Sequence, residues 1–424
     1  MRVLQQWPHF LFVCTAIIIA SLESQAQITL ESCQQRAREN YPLIRQRDLI
    51  HKAKEYSIQN ASKGYIPTVA LNAQETYQSD VVRLPEEPGQ DSSFPVLSKD
   101  QYRIYGDVVA TLYDGGAIHQ QKQMHEANAK IDEQSLEVEL YELRQKINQL
   151  YFGILMLDGQ LAQHALLQND LELGLRKTNA AIANGTVLKS SGNILQAELL
   201  KTHQTAIELH ASRLSYIKML ELMIGQPLNE NVILERPAPA QLSQDINRPE
   251  LQSFAYQSNA IDIQRKILNT QVRPKLSAFF QGGYGKPGLN VLNTEAESFY
   301  ITGLKLNWNL TGFYTRNHDK ELLEIKRSTL DVRRETFLFN NNYQTRQQSA
   351  EISKLEQLAS TDDEIIVLRS SIKETAAVQL ENGVIDTNDY LHEVNSENQA
   401  RQTKVLHEIQ LLFAQYNLQT TTGI

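Results

Sequence analysis

Alternation of apolar and polar residues, clearest in the last of them, marks four short segments of the chain, which begin near Tyr65, Tyr102, Val272 and Tyr300. Such alternation predicts β-strands with two chemically different faces. In the clearest segment, one face carries Tyr300, Thr302, Leu304, Leu306, Trp308 and Leu310. The other face carries Ile301, Gly303, Lys305, Asn307 and Asn309. The four segments are therefore predicted to form a sheet with an apolar and a polar side.

These segments come in two pairs. A polar loop over about 79–101 separates YIPTVALNAQETY from YRIYGDVVATLYDGG. A second loop, over about 285–298, separates VRPKLSAFFQGGY from YITGLKLNWNLTGF. Strands joined in this way pair antiparallel. We therefore predict two β-hairpins, at about 65–114 and about 273–311.

The remaining chain has helical periodicity over unusually long stretches. No proline occurs between Pro95 and Pro227 or after Pro287, so helices of about 50 residues or more meet no breaker there. A helix from Ala117 toward Gly185 would span up to about 100 Å. Its apolar residues keep the alternating steps of a coiled coil: Leu136, Leu140, Leu143, Ile147, Leu150, Ile154, Leu157 and Leu161. A later helix repeats the theme with Ile207, Leu214, Ile217 and Ile224.

The same order of elements occurs twice. Each half has an approach helix, a hairpin, a long helix that pauses at Asn-Gly, and a closing helix. The pauses are Asn184-Gly185 and Asn382-Gly383. We therefore divide the chain into a first structural repeat over 27–225, a proline-bearing linker over 226–248 and a second structural repeat over 249–424.

The N-terminus predicts export. The apolar run FLFVCTAIIIA, from Phe10 to Ala20, is too short to span a bilayer and ends near Ser24-Gln25-Ala26, which suits signal peptidase. Residues 1–26 are therefore predicted to be a signal peptide. Only Cys33 then remains, so no internal disulfide is expected, and a lone thiol of this kind is more often incidental than reactive.

Composition and motifs argue against several function classes. The chain has 424 residues, 41% hydrophobic residues and a net charge of −8, with no basic patch for nucleic acid. His-Glu pairs occur at His125, His392 and His407, but none has the second histidine that a zinc protease needs. We expect no enzyme activity, no catalytic residues, no cofactor and no metal site.

An exported protein with two-faced hairpins suggests a membrane β-barrel rather than a soluble β-domain. The tyrosines near the strand ends and one tryptophan suit an aromatic girdle at headgroup level: Tyr77, Tyr102, Tyr284, Tyr300 and Trp308. Four strands are too few, because membrane barrels begin at about eight. The chain is therefore expected to oligomerise, with two copies giving eight strands and three giving twelve.

The mature chain resembles the TolC-like outer membrane efflux protein family over nearly its whole length. The resemblance rests on the opening ITLESCQQRARENYPLIRQRD, on LYDGG at 112–116, on NLTGF in the second half, and on LELMIGQPL at 220–228. It implies a mainly α fold with a membrane β-barrel portion, in which long antiparallel coiled-coil helices form an α-barrel tunnel. It also implies a homotrimer with a 12-stranded barrel, two hairpins coming from each protomer.

The resemblance further implies a channel-tunnel subunit of a tripartite efflux or type I secretion system. Such a subunit lies in the outer membrane of the Gram-negative cell envelope, in contact with its lipid, and extends into the periplasm. It passively conducts substrates from a periplasmic adaptor (membrane fusion protein) and an inner-membrane pump to the exterior. An alternative is an exported periplasmic coiled-coil adaptor or scaffold protein without a pore.

Site residues follow from the same resemblance. It implies that the adaptor contacts two helix tips, formed by Asn184, Gly185, Thr186 and Val187 and by Asn382, Gly383, Val384 and Ile385. It also implies an entrance gate, for which Asp389 and Asp386 are the candidates. Where the family carries a second acid and a basic locking residue, this chain has His392 and Ile385.

Overall fold

A computed structural model of the chain describes residues 28–82, 96–243, 245–291 and 293–424. The predicted signal peptide, 1–26, lies outside the described residues. Within them, the helices are α1 (Leu30–Asn40), α2 (Gln46–Ser62), α3 (Ala117–Ala183), α4 (Lys189–Ile224), α5 (Pro249–Gln271), α6 (Gly312–Glu381) and α7 (Thr387–Thr422). The strands are β1 (Thr68–Tyr77), β2 (Asp100–Tyr113), β3 (Lys275–Lys286) and β4 (Glu297–Asn307).

The two predicted hairpins are present and join into one sheet. Its order is β1-β2-β3-β4, and every neighbouring pair is antiparallel. In the middle of the sheet Val108 lies opposite Phe280, which in turn lies opposite Thr302. Each outer strand therefore has one edge without a partner strand in the described part of the chain.

The long helices are also as predicted. Helix α3 has 67 residues and α6 has 70, with no interruption in either. The predicted mainly α fold with two β-hairpins is confirmed, and the hairpins form a small antiparallel sheet.

The chain divides into two compact units, each of which takes segments from both sequence halves. Unit 1 comprises the described part of Met1–Ile44 together with Glu139–Arg248 and Phe339–Ile424. Unit 2 comprises Arg45–Val138 and Pro249–Leu338, and contains the sheet. Helices α3 and α6 contribute residues to both units, so the units do not coincide with the two proposed repeats.

The core of unit 1 is built around the coiled-coil positions of α3. Ile147, Tyr151 and Ile154 are completely buried and pack with residues of α1, α4 and α7. The Tyr151 hydroxyl donates to the backbone oxygens of Ile28 and Glu235, at 2.7 and 2.6 Å. It thereby joins the N-terminal segment to the linker, where Ile28 and Leu234 form an isolated parallel bridge.

Heptad spacing predicts burial less well on α4. Ile217 and Ile224 are buried as expected, but Ile207 is 56% exposed and Leu214 is 36% exposed. Within one copy of the chain, the predicted seam is therefore covered only over its C-terminal part. The spacing correctly identifies an apolar stripe but does not show which part of it another segment of the same chain covers.

Unit 2 has a thinner core. Leu323 and Leu330 of α6 pack on Ile261 of α5, and Phe254 lies 6.0 Å from Phe337, centroid to centroid. Ion pairs reinforce the helix contacts, including Arg47 with Glu137 and Arg327 with Asp262. The helices of unit 2 are thus held together by narrow stripes of apolar side chains and by ion pairs at the surface.

Candidate functional site

The sheet of unit 2 has one strongly apolar and exposed face. Val69 and Leu71 on β1 are 76% and 78% exposed, and Leu304 and Leu306 on β4 are 68% and 67% exposed. Monomeric soluble proteins rarely expose so many neighbouring large apolar side chains. This face is therefore suited to contact with an apolar medium or a partner.

Four of the five predicted girdle residues form an oblique row across this face. Their positions can be counted along β2: Tyr77 lies opposite Asp100, Tyr102 is on β2 itself, Tyr284 lies opposite Ile104, and Tyr300 lies opposite Gly282, which pairs with Gly106. Each tyrosine is therefore two residues further along than the tyrosine on the preceding strand. Two residues amount to about 6.6 Å along a strand for each step of about 4.8 Å across the sheet. A level line around a barrel of tilted strands is oblique in the same manner.

Trp308 lies toward the other end of the sheet, directly after β4. Its side chain is 54% exposed, and its indole Nε1 donates to the Val272 oxygen at 3.0 Å. The ring thus has an exposed apolar surface and a satisfied polar group. The structure separates Trp308 from the four tyrosines by almost the length of β4.

The opposite face of the sheet is more polar and borders a cavity, and we call it the concave face. It lines a cavity of about 740 Å³, whose walls include Asp107, Thr111, Lys275, Ser277 and Lys305. The two faces follow the alternation seen in the sequence, since successive side chains of a strand point to opposite sides. The sheet therefore has the amphipathic character of a barrel wall.

The first helix tip of unit 1 is a tight turn between α3 and α4. Gly185 has φ +73°, and the Gly185 and Thr186 amides donate to the Ile182 and Ala181 oxygens, each at 3.0 Å. This is a Schellman motif, in which the residue after the helix adopts a left-handed conformation. It accounts for the glycine in physical terms.

The second tip, between α6 and α7, repeats the motif bond for bond. Gly383 has φ +69°, and the Gly383 and Val384 amides donate to the Leu380 and Gln379 oxygens at 3.0 and 2.9 Å. Val384 is 70% exposed, while Ile385 is partly buried. The two tips therefore share their backbone conformation and differ in the side chains that they expose.

The helices that follow the tips start differently. Asp386 caps α7 by accepting from the amides of Asn388 and Asp389 at 2.8 and 3.0 Å, and the Asp389 carboxylate accepts from the Asp386 amide at 3.3 Å. Leu188 stands at the corresponding position of α4, makes no capping bond, and is 77% exposed. Both gate candidates thus belong to a capping box. Asp389 also lines a cavity of about 390 Å³ between α6 and α7, with His392 and Glu393.

A buried ionic cluster in unit 1 was not predicted from the sequence. Lys373 on α6 donates to Asp170 on α3 at 2.9 Å and to Glu397 on α7 at 3.2 Å. Ser370 donates to Glu397 at 2.9 Å, and Arg401 donates to the same carboxylate. Glu397 is 4% exposed. The cluster links three helices, and only its Glu397–Arg401 pair has a local spacing, of four residues on α7.

Electrostatics keep this cluster charged. Burial alone would raise the pKa of Glu397, but hydrogen bonds from Arg401 and Ser370 and the charge of Lys373 outweigh burial and lower it. Burial would lower the pKa of Lys373, but its bonds to Asp170 and Glu397 raise it. A buried carboxylate with this many donors remains ionised at neutral pH.

None of the described helices combines the length and the apolar character needed to cross a membrane.

Comparison by sequence finds no similar protein, since no family model matches the chain and no curated protein matches it significantly. Comparison by structure does. The outer-membrane channel OprN matches with a TM-score of 0.67 and 13% identity, over 93% of this chain and 89% of OprN.

The outer membrane channel CmeC of Campylobacter jejuni matches with a TM-score of 0.64, and the outer membrane protein VceC of Vibrio cholerae with 0.66. Both are 13% identical to this chain and cover 93% of it, and the match spans 85% of CmeC and 96% of VceC. Over almost its whole length, the chain therefore has the fold of these outer membrane proteins.

Proposed function

We propose that this chain is a channel-tunnel subunit of the outer membrane that extends into the periplasm and conducts substrates outward in a tripartite efflux or type I secretion system. The observation that carries the proposal is the two-faced sheet, apolar and exposed on one side and polar and concave on the other. Lipid outside and water inside require this arrangement. The shared fold with OprN and CmeC supports it.

Closure of the barrel requires more than one copy. Within the described residues β1 and β4 each pair on one side only, and an open strand edge is not tolerated in lipid. Three copies in a homotrimer supply twelve strands, enough for a barrel with an aqueous lumen. In this arrangement β4 of one copy pairs with β1 of the next.

The oblique tyrosine row supports the membrane placement. In a barrel of tilted strands the four tyrosines fall close to one level, which is the position of an aromatic girdle, and Trp308 marks the opposite interface. Outer-membrane lipid is therefore the medium that covers the apolar face.

The two helix tips are proposed to receive the periplasmic adaptor, which connects the channel to an inner-membrane pump. Their contact residues are Asn184, Gly185, Thr186 and Val187 in the first tip and Asn382, Gly383, Val384 and Ile385 in the second. Exposed Leu188 extends the first set. Asp386 and Asp389 are proposed to contribute negative charge at the entrance.

Membrane insertion is tested by charges placed on the two faces of the sheet. Leu304→Lys puts a charge on the apolar face, where it costs about 2–4 kcal/mol near the bilayer centre. Ser277→Lys puts the same charge on the concave face and is the matched control. We expect the unmodified chain and Ser277→Lys to give a heat-modifiable trimer in outer-membrane fractions and Leu304→Lys to give much less of it.

Channel activity is tested with the same purified trimer in planar bilayers, where stepwise ionic conductance is expected. A soluble periplasmic monomer would overturn the membrane placement and favour an adaptor or scaffold. A folded, inserted trimer that never conducts would overturn the channel.

A further inference from the structure

Two lysines on the concave face of the sheet stand side by side near its helix-proximal end. Lys275 begins β3 and lies opposite Asn307, and Lys305 of β4 lies opposite Ser277. They are diagonal neighbours on adjacent strands, with a separation of about 7–8 Å expected between such positions. Both side chains are exposed and line the same cavity.

Neither lysine has an acidic partner among the residues that the structure describes. Asp107 lies on the same face but is level with Gln281, four positions beyond Ser277, which is about 13 Å along the strand. The neighbouring cation Arg273 donates to the Gly115 oxygen at 3.1 Å and adds positive charge to the same cavity. Asp114 follows β2 at this end of the sheet, but its carboxylate accepts from the Gly116 and Ile118 amides and does not line the cavity. The charges that line the helix-proximal part of the cavity are therefore cationic.

The rest of the face, with Arg103 against Asp107 and Glu297, has no net positive charge. At the loop end of the sheet, Gly285 of β3 pairs with Arg103 of β2 on one side and with Glu297 of β4 on the other. The Arg103 guanidinium lies over the Phe299 ring, 5.4 Å from its centroid. Positive charge is thus concentrated at one end of the concave face and is not a general property of the sheet.

The face on which the two lysines lie argues against a role in lipid binding. Lys275 and Lys305 share their face with Asp107, whereas the apolar residues and the tyrosine row occupy the other face. Lysines that bind lipid phosphates would need to extend from the apolar face. Two like charges placed as neighbours without a counter-charge cost energy, which water in a lumen reduces by solvating them.

We propose that Lys275 and Lys305 form an anion-attracting ring at the helix-proximal end of the barrel lumen, so that anionic solutes are favoured over cations at this level of the pore. The inference rests on the proposed channel function. Three copies bring six lysine ammonium groups around one axis. A lumen with low-dielectric walls concentrates counter-ions more strongly than an open surface does.

The test is ion selectivity of the full chain in planar bilayers under a KCl gradient. Replacing both lysines, Lys275→Gln with Lys305→Gln, should shift the reversal potential toward potassium, with at least a twofold fall in the chloride-to-potassium permeability ratio. Lys275→Glu with Lys305→Glu should shift it further in the same direction. Both shifts should shrink at 1 M salt, where the Debye length falls from about 10 Å at 0.1 M to about 3 Å.

Lys286→Gln is the matched control. Lys286 ends the same strand, but it lies opposite Tyr102 and therefore belongs to the apolar face. Loss of its charge should leave the reversal potential unchanged. Conducting double variants whose reversal potential equals that of the unmodified channel would overturn the ring while leaving the channel intact. A shift of equal size in Lys286→Gln would overturn the assignment to these two lysines. Absence of conductance in the unmodified trimer would overturn both proposals.

Discussion

Lys373 on α6 donates a hydrogen bond to Asp170 on α3 at 2.9 Å, across 203 positions of sequence. The lysine side chain is only 20% exposed and also bonds to Glu397 of α7. One ammonium group thus joins three helices of unit 1. Its contribution to local stability is accessible to a direct test.

Lys373→Met should destabilise the region around the cluster by about 1–3 kcal/mol, because two carboxylates lose a charged donor. Hydrogen exchange of α7 amides near Glu397 should become roughly 5- to 150-fold faster, which is the same free-energy change expressed as a ratio of rates. Lys177→Met is the control, since Lys177 bonds to Glu381 between the same two long helices but is 69% exposed. An exposed pair contributes little, so equal effects of the two variants would contradict this assignment.

Acid should weaken the same cluster. The pKa of Glu397 in the folded chain lies below its ordinary value of 4.5. As pH falls, the unfolded chain therefore binds the proton first, and the stabilisation, complete above about pH 4.5, is lost as pH falls through the lower folded pKa.

Glu397→Gln removes this dependence, so its thermal midpoint should change less between pH 5 and pH 3 than that of the unmodified chain. Circular dichroism at 222 nm measures it. Glu351→Gln, which alters a surface acid 48% exposed, should retain the original slope. A Glu397→Gln profile parallel to the original would show that other carboxylates dominate.

The helix starts after the two tips should respond in opposite directions to substitution. Asp386→Ala removes the capping bonds of α7 and should cost about 0.5–2 kcal/mol. Leu188→Asp supplies a missing cap to α4 and should stabilise its first turn by about 1 kcal/mol. Hydrogen exchange of the first turns of α4 and α7 reports both changes.

Adaptor binding separates capping from docking at Leu188. If the exposed leucine contacts the adaptor, Leu188→Asp should weaken binding of the purified adaptor even though α4 becomes more stable. Leu188→Met keeps an apolar side chain and serves as the control. Unchanged binding by Leu188→Asp would remove Leu188 from the proposed contact.

Cys33 should be almost unreactive in the folded chain. Its side chain is completely buried, and burial raises the pKa of the thiol to about 11 from an ordinary value of 9.0. At pH 8 the thiolate fraction falls by about 100-fold, so alkylation by iodoacetamide should be slower by at least that factor than in urea. Mass spectrometry of the peptide containing Cys33 measures it, with Val384→Cys as an exposed control; rapid labelling of folded Cys33 would show that α1 opens readily.

Much of the fold is readable from the sequence because its elements are long and strictly periodic. The alternation from Tyr300 predicts β4 and both of its faces, and the absence of proline predicts α3 and α6. Periodicity does not show which surfaces meet, as exposed Ile207 illustrates. The Lys373 cluster is not predicted for the same reason, since Lys373, Asp170 and Glu397 lie on three different helices.

The sequence predicts the tip glycines because a residue of left-handed conformation after a helix is most often glycine. It does not predict the exposed Leu188 at the start of α4, because a leucine without a capping bond has no distinctive pattern. The position after Gly383 predicts the gate candidates Asp386 and Asp389, whereas their capping bonds depend on the backbone conformation at the start of α7.

The two Schellman turns have a consequence for how this chain can change over time. Each turn is closed by main-chain bonds and requires only one residue of positive φ, and nothing lies within 4 Å of the Cβ position at either glycine. The two side chains that follow each glycine are consequently free to diverge without disturbing the end of the preceding helix. Thr186 and Val187 already differ from Val384 and Ile385, so each tip can be remodelled toward a new binding partner separately from the other.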